Sequence, residues 1–327
     1  DAGNAIQIGS YDAAKQRLDE HPFHHSGLPI SFVAPLRAGH ETAPLSKAGA
    51  RLLGLPEGLP MAGPYIDQET GYLSVAGRIK HPLQCSLGTA WVGNFVLPND
   101  TTGWSSLQLV LPSPVGEGRL VVLPLMAGNL TWDWGLRTCV DINGKDGYTA
   151  ADALFRTALL PPPGLVAFPW FTMPHPVHPE ANGAGLIAGL HPETCRADLL
   201  RAIACGLVFE FFRVFEAIKD SHAVDGVVLG GGASQAAHFR TLFAALFSPL
   251  PVWWQRDGGL AAARGAVYAF SPKTAQSPLQ RITPPTKKLR DTLEQGYQRY
   301  KEALAQLFPS IPGGDAFHFR DREETGS

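Results

Sequence analysis

One stretch decides the fold of this chain: residues 224–270 read VDGVVLGGGASQAAHFRTLFAALFSPLPVWWQRDGGLAAARGAVYAF. A short apolar, β-branched run at 226–229 ends in three consecutive glycines, and a helical apolar pattern follows at 239–246. The predicted order is strand, glycine turn, helix. Because glycine has no Cβ, such a turn lets backbone N–H groups approach a ligand closely.

The second half of the stretch predicts another strand at 252–255 and a helix of small residues at 260–270. Small side chains let that helix lie very close to a sheet or to another helix. The wider chain is strand-rich from about 59 to 125 and then alternates helices and strands, which is an α/β pattern. Its 327 residues are enough for two domains, or for one large domain with a tail.

Composition excludes several classes of partner. Hydrophobic residues make up 45% of the chain and charged residues 17%, as in a soluble globular protein. A net charge of −2 from 27 basic and 29 acidic residues gives no general attraction for nucleic acid or anionic lipid. No apolar run reaches the ~18 residues that span a bilayer. The chain begins at Asp1 rather than at Met, which predicts a fragment or a processed product.

Four cysteines stand far apart with no CxxC pair; they are Cys85, Cys139, Cys195 and Cys205. This spacing argues against a zinc site and against a disulfide framework. The pattern predicts reduced, buried thiols in a cytoplasmic protein.

A single carboxylate, Asp67, follows a strand predicted at 59–66 and precedes a segment of small residues that ends at Gly77. An acid at a strand end, in the crevice where α/β sheets bind ligands, is a candidate general base. The alternative is that Asp67 caps the helix that follows it. The residues alone leave both interpretations open.

Residues 86–98, SLGTAWVGNFVLP, predict a β-hairpin with a Gly88-Thr89 turn. A hydroxyl and backbone N–H groups at such a turn can hold a phosphate, although most Gly-Thr pairs are ordinary turns. A third strand is predicted at 120–125. The next segment, 127–139, opens a helix whose Trp132 and Trp134 are interpreted as core residues rather than a ligand platform.

Proline dominates residues 161–193, which predicts a shaped, irregular loop that leads into a strand at 185–190. Its histidines are His175, His178 and His191. They are not assigned to a metal, because a proline-broken segment cannot hold ligands at regular helical spacing.

Two long amphipathic helices are predicted, at 196–220 and at 287–307, each with one apolar stripe. The first is expected to pack on the sheet. The polar residues beyond Pro309 predict a disordered tail.

The motifs, in their order, resemble the FGGY carbohydrate kinases. They are Asp67-Gln68, SLGT at 86–89, Gly-x-x-x-x-Asp-Trp from Gly128, ANGAGLIAGL at 181–190, GGG at 230–232 and AAARGA at 261–266. Each motif is weak alone, and their shared order and spacing carry the resemblance, which runs from about residue 1 to 307. The C-terminal helix, with Tyr297 and Tyr300, is similar to the closing helix of xylulokinase-like members.

The resemblance implies an α/β fold of the ribonuclease-H-like class shared by actin, hexokinase and the sugar kinases, with sugar and ATP meeting between two domains. Residues 1–78 look like the C-terminal remnant of the first, sugar-binding domain, and 79–308 like a complete nucleotide-binding domain. Residues 309–327 are the flexible tail. The D-x-G-[ST] loop of the family's first domain has no counterpart here.

The resemblance also implies roles for individual residues. Asp67 matches the catalytic aspartate, which accepts the proton of the attacking hydroxyl, and Tyr65 and Gln68 would touch the substrate beside it. The positions that match the nucleotide site are Gly88, Thr89, Gly128, Gly231, Gly232 and Ala236. Some relatives carry an asparagine at the position of Ala236 to bond the base, which alanine cannot do. Trp91 is bulky and is expected to crowd the phosphates.

Two functions follow as hypotheses. The first is ATP- and Mg²⁺-dependent phosphorylation of a sugar or polyol, by a cytoplasmic protein with no nucleic-acid or membrane partner, of which this chain is a fragment. A homodimer is compatible with it. The second is a non-catalytic nucleotide-binding or interaction module of the same superfamily. Pro64-Tyr65-Ile66 favours the second, because it replaces the family's small, glycine-rich lead into the aspartate.

Overall fold

The computed structural model describes most of the chain. It covers residues 1–13, 15–37, 41–63, 65–101, 108–125, 127–140, 144–171, 185–220 and 224–308. Some features predicted from the sequence therefore lie outside the described residues. These are Pro64, His175, His178, the first half of the motif at 181–190 and the tail at 309–327.

Helices and short strands alternate along the whole chain. The helices are α1 (Ala2–Gln7), α2 (His21–Ser26), α3 (Lys47–Leu53), α4 (Asp67–Leu73), α5 (Asn129–Cys139), α6 (Gly144–Thr157), α7 (Arg196–Asp220), α8 (Ala237–Leu246), α9 (Ala261–Gly265), α10 (Pro272–Ala275) and α11 (Lys287–Leu307). The strands are β1 (Tyr11–Asp12), β2 (Arg17–Leu18), β3 (Ala43–Pro44), β4 (Pro60–Met61), β5 (Pro82–Leu87), β6 (Trp91–Leu97), β7 (Leu109–Pro112), β8 (Arg119–Leu125), β9 (Val166–Phe168), β10 (Leu186–Ala188), β11 (Gly226–Gly230), β12 (Val252–Gln255) and β13 (Leu279–Arg281).

A seven-stranded mixed sheet, in the order β13-β12-β11-β5-β6-β8-β7, forms the centre. Strand β11 pairs in parallel with β5 and β12, and the remaining pairs are antiparallel. The predicted α/β class and the β5–β6 hairpin are confirmed. Strand β7 was not predicted, because its surroundings are rich in turn residues; it lies at the sheet edge, where Pro112 is tolerated.

One face of the sheet carries the large core, and α7 crosses it. This helix has the predicted bounds, and its fully buried side chains include Ile203, Leu207, Phe211 and Phe215, spaced four residues apart. That spacing places them on one face of a helix, and burying each contributes roughly 1.5–3 kcal/mol. The predicted helix is confirmed because its periodic stripe is long enough to outweigh local ambiguity.

Helix α11, also with its predicted bounds, is fastened to α7 by hydrogen bonds. The Tyr300 hydroxyl donates to Glu210 Oε2 at 2.9 Å, and Arg213 Nε donates to the same carboxylate at 3.0 Å. One turn away, the Tyr297 hydroxyl donates to Glu216 Oε2 at 2.6 Å. The inner group, around Glu210, is buried, whereas Glu216 is partly exposed.

The opposite face of the sheet is covered mainly by α4. The side chains of Ile66, Tyr72 and Ala76 form a small core with Val92 of β6 and Leu120 of β8. The last part of residues 1–78 therefore packs on the central sheet.

Three local predictions need correction. The strand predicted at 59–66 is limited to β4, which pairs only with β3. The small-residue helix is shorter than predicted, since α9 ends at Gly265 and turns follow to residue 270. The proline-rich segment contains an unpredicted strand, β9, which pairs with β10 inside the strand predicted at 185–190.

The thiols are free, and three of them, Cys85, Cys139 and Cys205, are buried as predicted. Cys195 is exposed, so its predicted burial is wrong. It lies just before the surface end of α7, where its Sγ is 3.1 Å from Asp198 Oδ2. None of the described helices is long and apolar enough to cross a membrane.

Candidate active site

The glycine turn after β11 is bent tightly over the end of β5. Gly231 has a φ of +82°, in the left-handed region that favours glycine. A Cβ added there would lie 2.7 Å from the backbone of Leu87, the last residue of β5. The Ser234 hydroxyl donates to the Gly231 carbonyl at 2.7 Å and closes the turn. Backbone conformation and close packing therefore both require glycine at this position.

The hairpin turn between β5 and β6 meets the first turn of α5. The backbone N–H of Asn129 donates to the Gly88 carbonyl at 3.1 Å. A Cβ on Gly128 would lie 2.6 Å from the carbonyl oxygen of Thr89, so only glycine allows this approach. The Thr89 side chain is exposed at the same turn. An eleven-residue helix thus begins beside a hydroxyl, and a helix N-terminus favours bound anions.

Asn129 contacts both turns, and it was not among the site residues predicted from the sequence. Its Nδ2 donates to the Leu87 carbonyl at 3.4 Å, and its Oδ1 accepts from Trp91 Nε1 at 3.2 Å. A Cβ on Gly232 would lie 3.4 Å from the same Nδ2. Its place directly after Gly128, at the start of a predicted helix, was the available signal.

Trp91 does not crowd this space. Its side chain is fully buried and packs edge-on against Phe239, with ring centroids 5.2 Å apart. The expectation that Trp91 obstructs phosphates is therefore wrong, because strand alternation directs its indole into the core. Ala236 is buried at the N-cap of α8. Its side chain has no polar group that could bond a base.

The loop around residues 233–236 is held by one arginine. Arg240 Nη1 donates to the carbonyls of Ser234 at 2.8 Å and Gln235 at 2.6 Å. Its guanidinium also lies 4.1 Å from the ring centroid of Trp254. This arrangement orders the segment that connects the glycine turn to α8.

The turn after β12 packs directly on the turn after β11. Gly231 N donates to the Gly258 carbonyl at 3.4 Å, and a Cβ on Gly258 would lie 2.9 Å from Gly231 N. Asp257 and Arg264, which flank the start of α9, form an ion pair. The glycine turns of residues 88–90, 128–129, 230–232 and 258–259 are thereby gathered at one end of the sheet.

Asp67 is the first residue of α4 and is exposed. It does not follow a strand, and it is not the N-cap, which is Ile66. The backbone N–H of Ile66 instead donates to Glu69 Oε2 at 2.9 Å. The Asp67 carboxylate thus takes no part in the helix cap. Its Oδ2 accepts a hydrogen bond from Gln68 Nε2 at 3.4 Å.

The residues on either side of Asp67 are tied to different surroundings. Gln68 Oε1 accepts from Asn94 Nδ2 at 2.9 Å, and Asn94 also donates to Gln84 Oε1 at 2.6 Å. These two buried amides in the sheet were not identified from the sequence, because each lies in a strand of mostly apolar residues. They anchor Gln68, and with it the start of α4, to β5 and β6.

Tyr65 lies on the other side of Asp67 and is half-buried. Burial, helped by the nearby Glu69 and Tyr268, raises the pKa of its phenol to about 12. Its hydroxyl is buried without a hydrogen-bond partner among the described residues. Tyr65 lines a cavity of about 240 Å³ together with Asp1 and Glu69, so polar groups face this space.

Helix α4 is fixed against α9 and β12 by close packing and a hydrogen bond. A Cβ on Gly265 of α9 would overlap the carbonyl oxygen of Thr70. Farther along α4, the Ser74 hydroxyl accepts from Gln255 Nε2 of β12 at 2.9 Å. The helix that begins with Asp67 is therefore a rigid neighbour of the gathered glycine turns. Among the described residues, no group of three or more His, Cys, Asp or Glu could hold a metal ion by itself.

Comparisons with known proteins identify one matching family model and several similar folds. Residues 117–270 match the model of the FGGY family of carbohydrate kinases, C-terminal domain. No curated protein matches the whole-chain sequence. Solved structures with the same fold include a xylulose kinase from Rhodospirillum rubrum (TM-score 0.75, 21% identity) and a gluconate kinase from Lactobacillus acidophilus (TM-score 0.70, 16% identity). A Plasmodium falciparum glycerol kinase with ADP is also similar (TM-score 0.68, 13% identity).

These likenesses extend over nearly all of this chain but over only part of each relative. The three alignments cover 94%, 95% and 94% of this chain, and 65%, 65% and 63% of the relatives. The fold is that of the ribonuclease-H-like sugar kinases, as the sequence predicted. The chain spans about two thirds of the length of the structures that it resembles.

Proposed function

We propose that this chain, whose residues 117–270 carry the C-terminal domain of the FGGY family of carbohydrate kinases, is the nucleotide-binding part of an ATP-dependent sugar or polyol kinase. One observation supports the proposal most directly: four glycine turns meet at one end of the sheet, beside the helix that begins with Asp67. Glycine turns and a helix N-terminus bind phosphates, and an exposed carboxylate beside them suits a general base.

In the proposed reaction, the chain supplies groups that bind and orient. The turn at Gly88-Thr89, the start of α5 at Gly128 and the turn at Gly231-Gly232 would hold the nucleotide phosphates. Ala236 would lie beside the adenine without bonding it, so selectivity for the base would come from shape alone. Fixed donors of this kind stabilise charge on a phosphoryl group without reorganising during transfer.

Asp67 would accept the proton of the attacking hydroxyl. Asp67 is exposed at the first turn of α4, so its carboxylate is open to a bound substrate. Gln68 and Tyr65 would contact the substrate on either side. Because Asn94 orients Gln68 and close packing at Gly265 holds α4, the base would be presented at a fixed place in the cleft.

ATP fits the glycine turns in one specific respect. A Cβ on Gly88 would meet only the Ala90 carbonyl, at 3.8 Å, and one on Gly259 would meet nothing within 4 Å. Both glycines thus leave open space at the end of the sheet. When bound, MgATP supplies the phosphoryl group. Because the described residues lack a ready-made metal cluster, Mg²⁺ would be held mainly by the phosphates, as is usual for this ion.

The proposal includes a second polypeptide segment. The chain spans 65% of the xylulose kinase that it resembles, and the described part of its first 78 residues forms only two-stranded sheets. We propose that residues 1–78 complete a first domain that binds the sugar, and that this chain alone does not turn over. A cytoplasmic location is proposed from the free thiols. A homodimer is a further proposal.

The decisive experiment compares Asp67→Asn with Glu57→Gln in a protein that contains this chain and the complete first domain. Asp67→Asn should lower kcat by at least about 10²-fold, the usual worth of a general base, and should leave ATP affinity within about twofold. Glu57 is exposed in the turn before β4 and lies outside α4, so its variant should behave like the parent. Screening pentuloses, hexuloses and glycerol by ADP release identifies the acceptor.

Two results would count against the proposal. Retained turnover in the Asp67→Asn protein would exclude Asp67 as the base. Nucleotide binding without turnover in the parent, with every acceptor class, would instead favour the non-catalytic nucleotide-binding module.

A further inference from the structure

A second cavity lies on the other side of the domain, among α7, α11 and the proline-rich segment before β9. Its volume is about 180 Å³. None of the residues that line it belongs to α4 or to the glycine turns. Whatever this cavity binds is therefore separate from the proposed kinase chemistry.

The inner wall of the cavity is apolar and well buried. Ala202, Cys205, Leu293 and Tyr300 line it with exposures of 1%, 2%, 1% and 0%. Its mouth lies at Pro162, which is exposed. A pocket of this shape excludes most water from its walls.

The polar groups in the wall are already used or are neutral. The Tyr300 hydroxyl donates to Glu210 at 2.9 Å, and Thr292 Oγ1 donates to the Lys288 carbonyl at 2.8 Å. Burial raises the pKa of the Cys205 thiol to about 12, so the thiol stays uncharged at neutral pH. A ligand that needs strong hydrogen bonds would find little to pair with inside.

Two glycines within long helices line the cavity at points of close packing. Gly206 lies in the middle of α7, where a Cβ would overlap the Ala167 carbonyl. Gly296 lies in the middle of α11, and its Cβ would come within 3.3 Å of Phe209 Cζ. A glycine inside a helix costs about 0.5–1 kcal/mol relative to alanine. Glycine at these two positions lets α7 and α11 pack closely around the cavity.

We propose that this cavity is a binding site for a small, neutral, planar ring compound of about the size of benzene to indole. Engineered apolar cavities of about 150 Å³ stay dry and bind benzene, and this cavity has a comparable volume and lining. Arg299 lies at its rim, where it can face solvent while the ring is buried. A bound ring compound would add contacts with α7 and α11 and would thereby stabilise the folded chain.

The test measures binding of benzene and indole to the full chain by titration calorimetry and by the shift in melting temperature. One saturable site per chain and a dose-dependent rise in Tm are expected, because a ligand of the native state stabilises it. Acetamide, which is small and polar and is not one of the proposed acceptors, should give neither effect. In crystals under xenon pressure, xenon density should lie between α7 and α11.

Matched substitutions locate the site. Ala202→Leu fills the cavity and should weaken indole binding at least tenfold, whereas Ala305→Leu, on the exposed side of α11, should leave it unchanged. If Ala202→Leu does not fold, Gly296→Ala provides the second test, since it narrows the same space. The proposal is overturned if neither ring compound binds saturably, or if a folded cavity-filling variant binds indole as well as the parent does.

Discussion

The two parts of this chain differ in how they bury apolar side chains. Residues 79–308 surround a seven-stranded sheet with one continuous core. Residues 1–78 contain strands of only two residues, and they leave Leu52 and Phe32 exposed by 86% and 72%. Among the described residues of the first part, α4 contributes buried side chains to a core that it shares with the sheet of the second part, and Ile6 of α1 packs against that core.

The buried contacts of the second part lie mostly within it, whereas the described residues of the first part bury few apolar side chains apart from those in and around α4. Exposed leucines around α3 and β4 are the kind of patch that marks an interface. The catalytic base of the proposed kinase lies at the junction between the two parts. Four pairs of matched variants test this difference between the two parts.

The largest effect should come from the buried hydrogen-bonded group around Glu210, which joins α7 to α11 in the second part. Glu210→Leu leaves the guanidinium of Arg213 buried without its carboxylate, and losing one partner of a buried pair costs about 3–5 kcal/mol. Glu216→Leu removes a partly exposed carboxylate from the same helix and should cost about 1–2 kcal/mol. Urea unfolding of both variants measures the difference. Equal losses in free energy of unfolding would show that burial of the group around Glu210 does not increase its contribution to stability.

Two leucines of the first part should differ strongly in their contribution to stability. Leu73 of α4 is fully buried, so Leu73→Ala should cost about 2–5 kcal/mol in free energy of unfolding. Leu52→Ala should change it by less than about 0.5 kcal/mol. A large loss from Leu52→Ala would mean that this residue is covered in solution, for example by self-association, which analytical ultracentrifugation would detect.

Acid should weaken the second part through His238. Burial lowers the pKa of this imidazole to about 4 from its ordinary 6.5, although Asp152 favours the proton and Arg240 opposes it. Between those values the unfolded chain binds more protons than the native one, so stability falls as pH falls from about 6.5 to 4. The contribution is about 2–3 kcal/mol.

The check is a series of urea titrations between pH 7 and pH 4.5. His238→Phe should flatten the pH dependence, while His81→Gln, at an exposed pair with Asp225, should leave it as in the parent. An unchanged slope in His238→Phe would assign acid sensitivity to other groups.

The junction between the parts can be loosened selectively. Gly265→Ala would push a methyl group into the Thr70 carbonyl and should cost about 1–3 kcal/mol, whereas Gly259→Ala meets open space. Hydrogen exchange should quicken in α4 more than in β11. Equal acceleration in both elements would show that α4 does not detach on its own.

Local signals predicted the second part well. The bounds of α7 and α11 follow from stripes of apolar residues at helical spacing, and Thr286 accepts the Leu289 N–H to start α11. The strand, glycine turn and helix from residue 226 onward also follow from local pattern. These features were predictable because each depends on neighbours within a few residues.

The errors share another cause, which is pairing between distant segments. Residues 59–66 have strand character, yet only β4 finds a partner, and β9 forms where prolines seemed to forbid regular structure. Cys195 and Trp91 were misjudged for the same reason, since exposure depends on what packs opposite. No local pattern contains that information.

Local sequence patterns thus predicted the class of fold, the two long helices and the residue types that we propose for phosphate binding and proton acceptance. Only the tertiary structure decided that Gly88, Gly128 and Gly231 meet, that Asn129 joins them, and that Asp67 opens a helix packed beside them. The physical reason is that these turns lie at the ends of strands far apart in the chain. Their meeting depends on sheet order and on close backbone contacts, which glycine permits but does not specify.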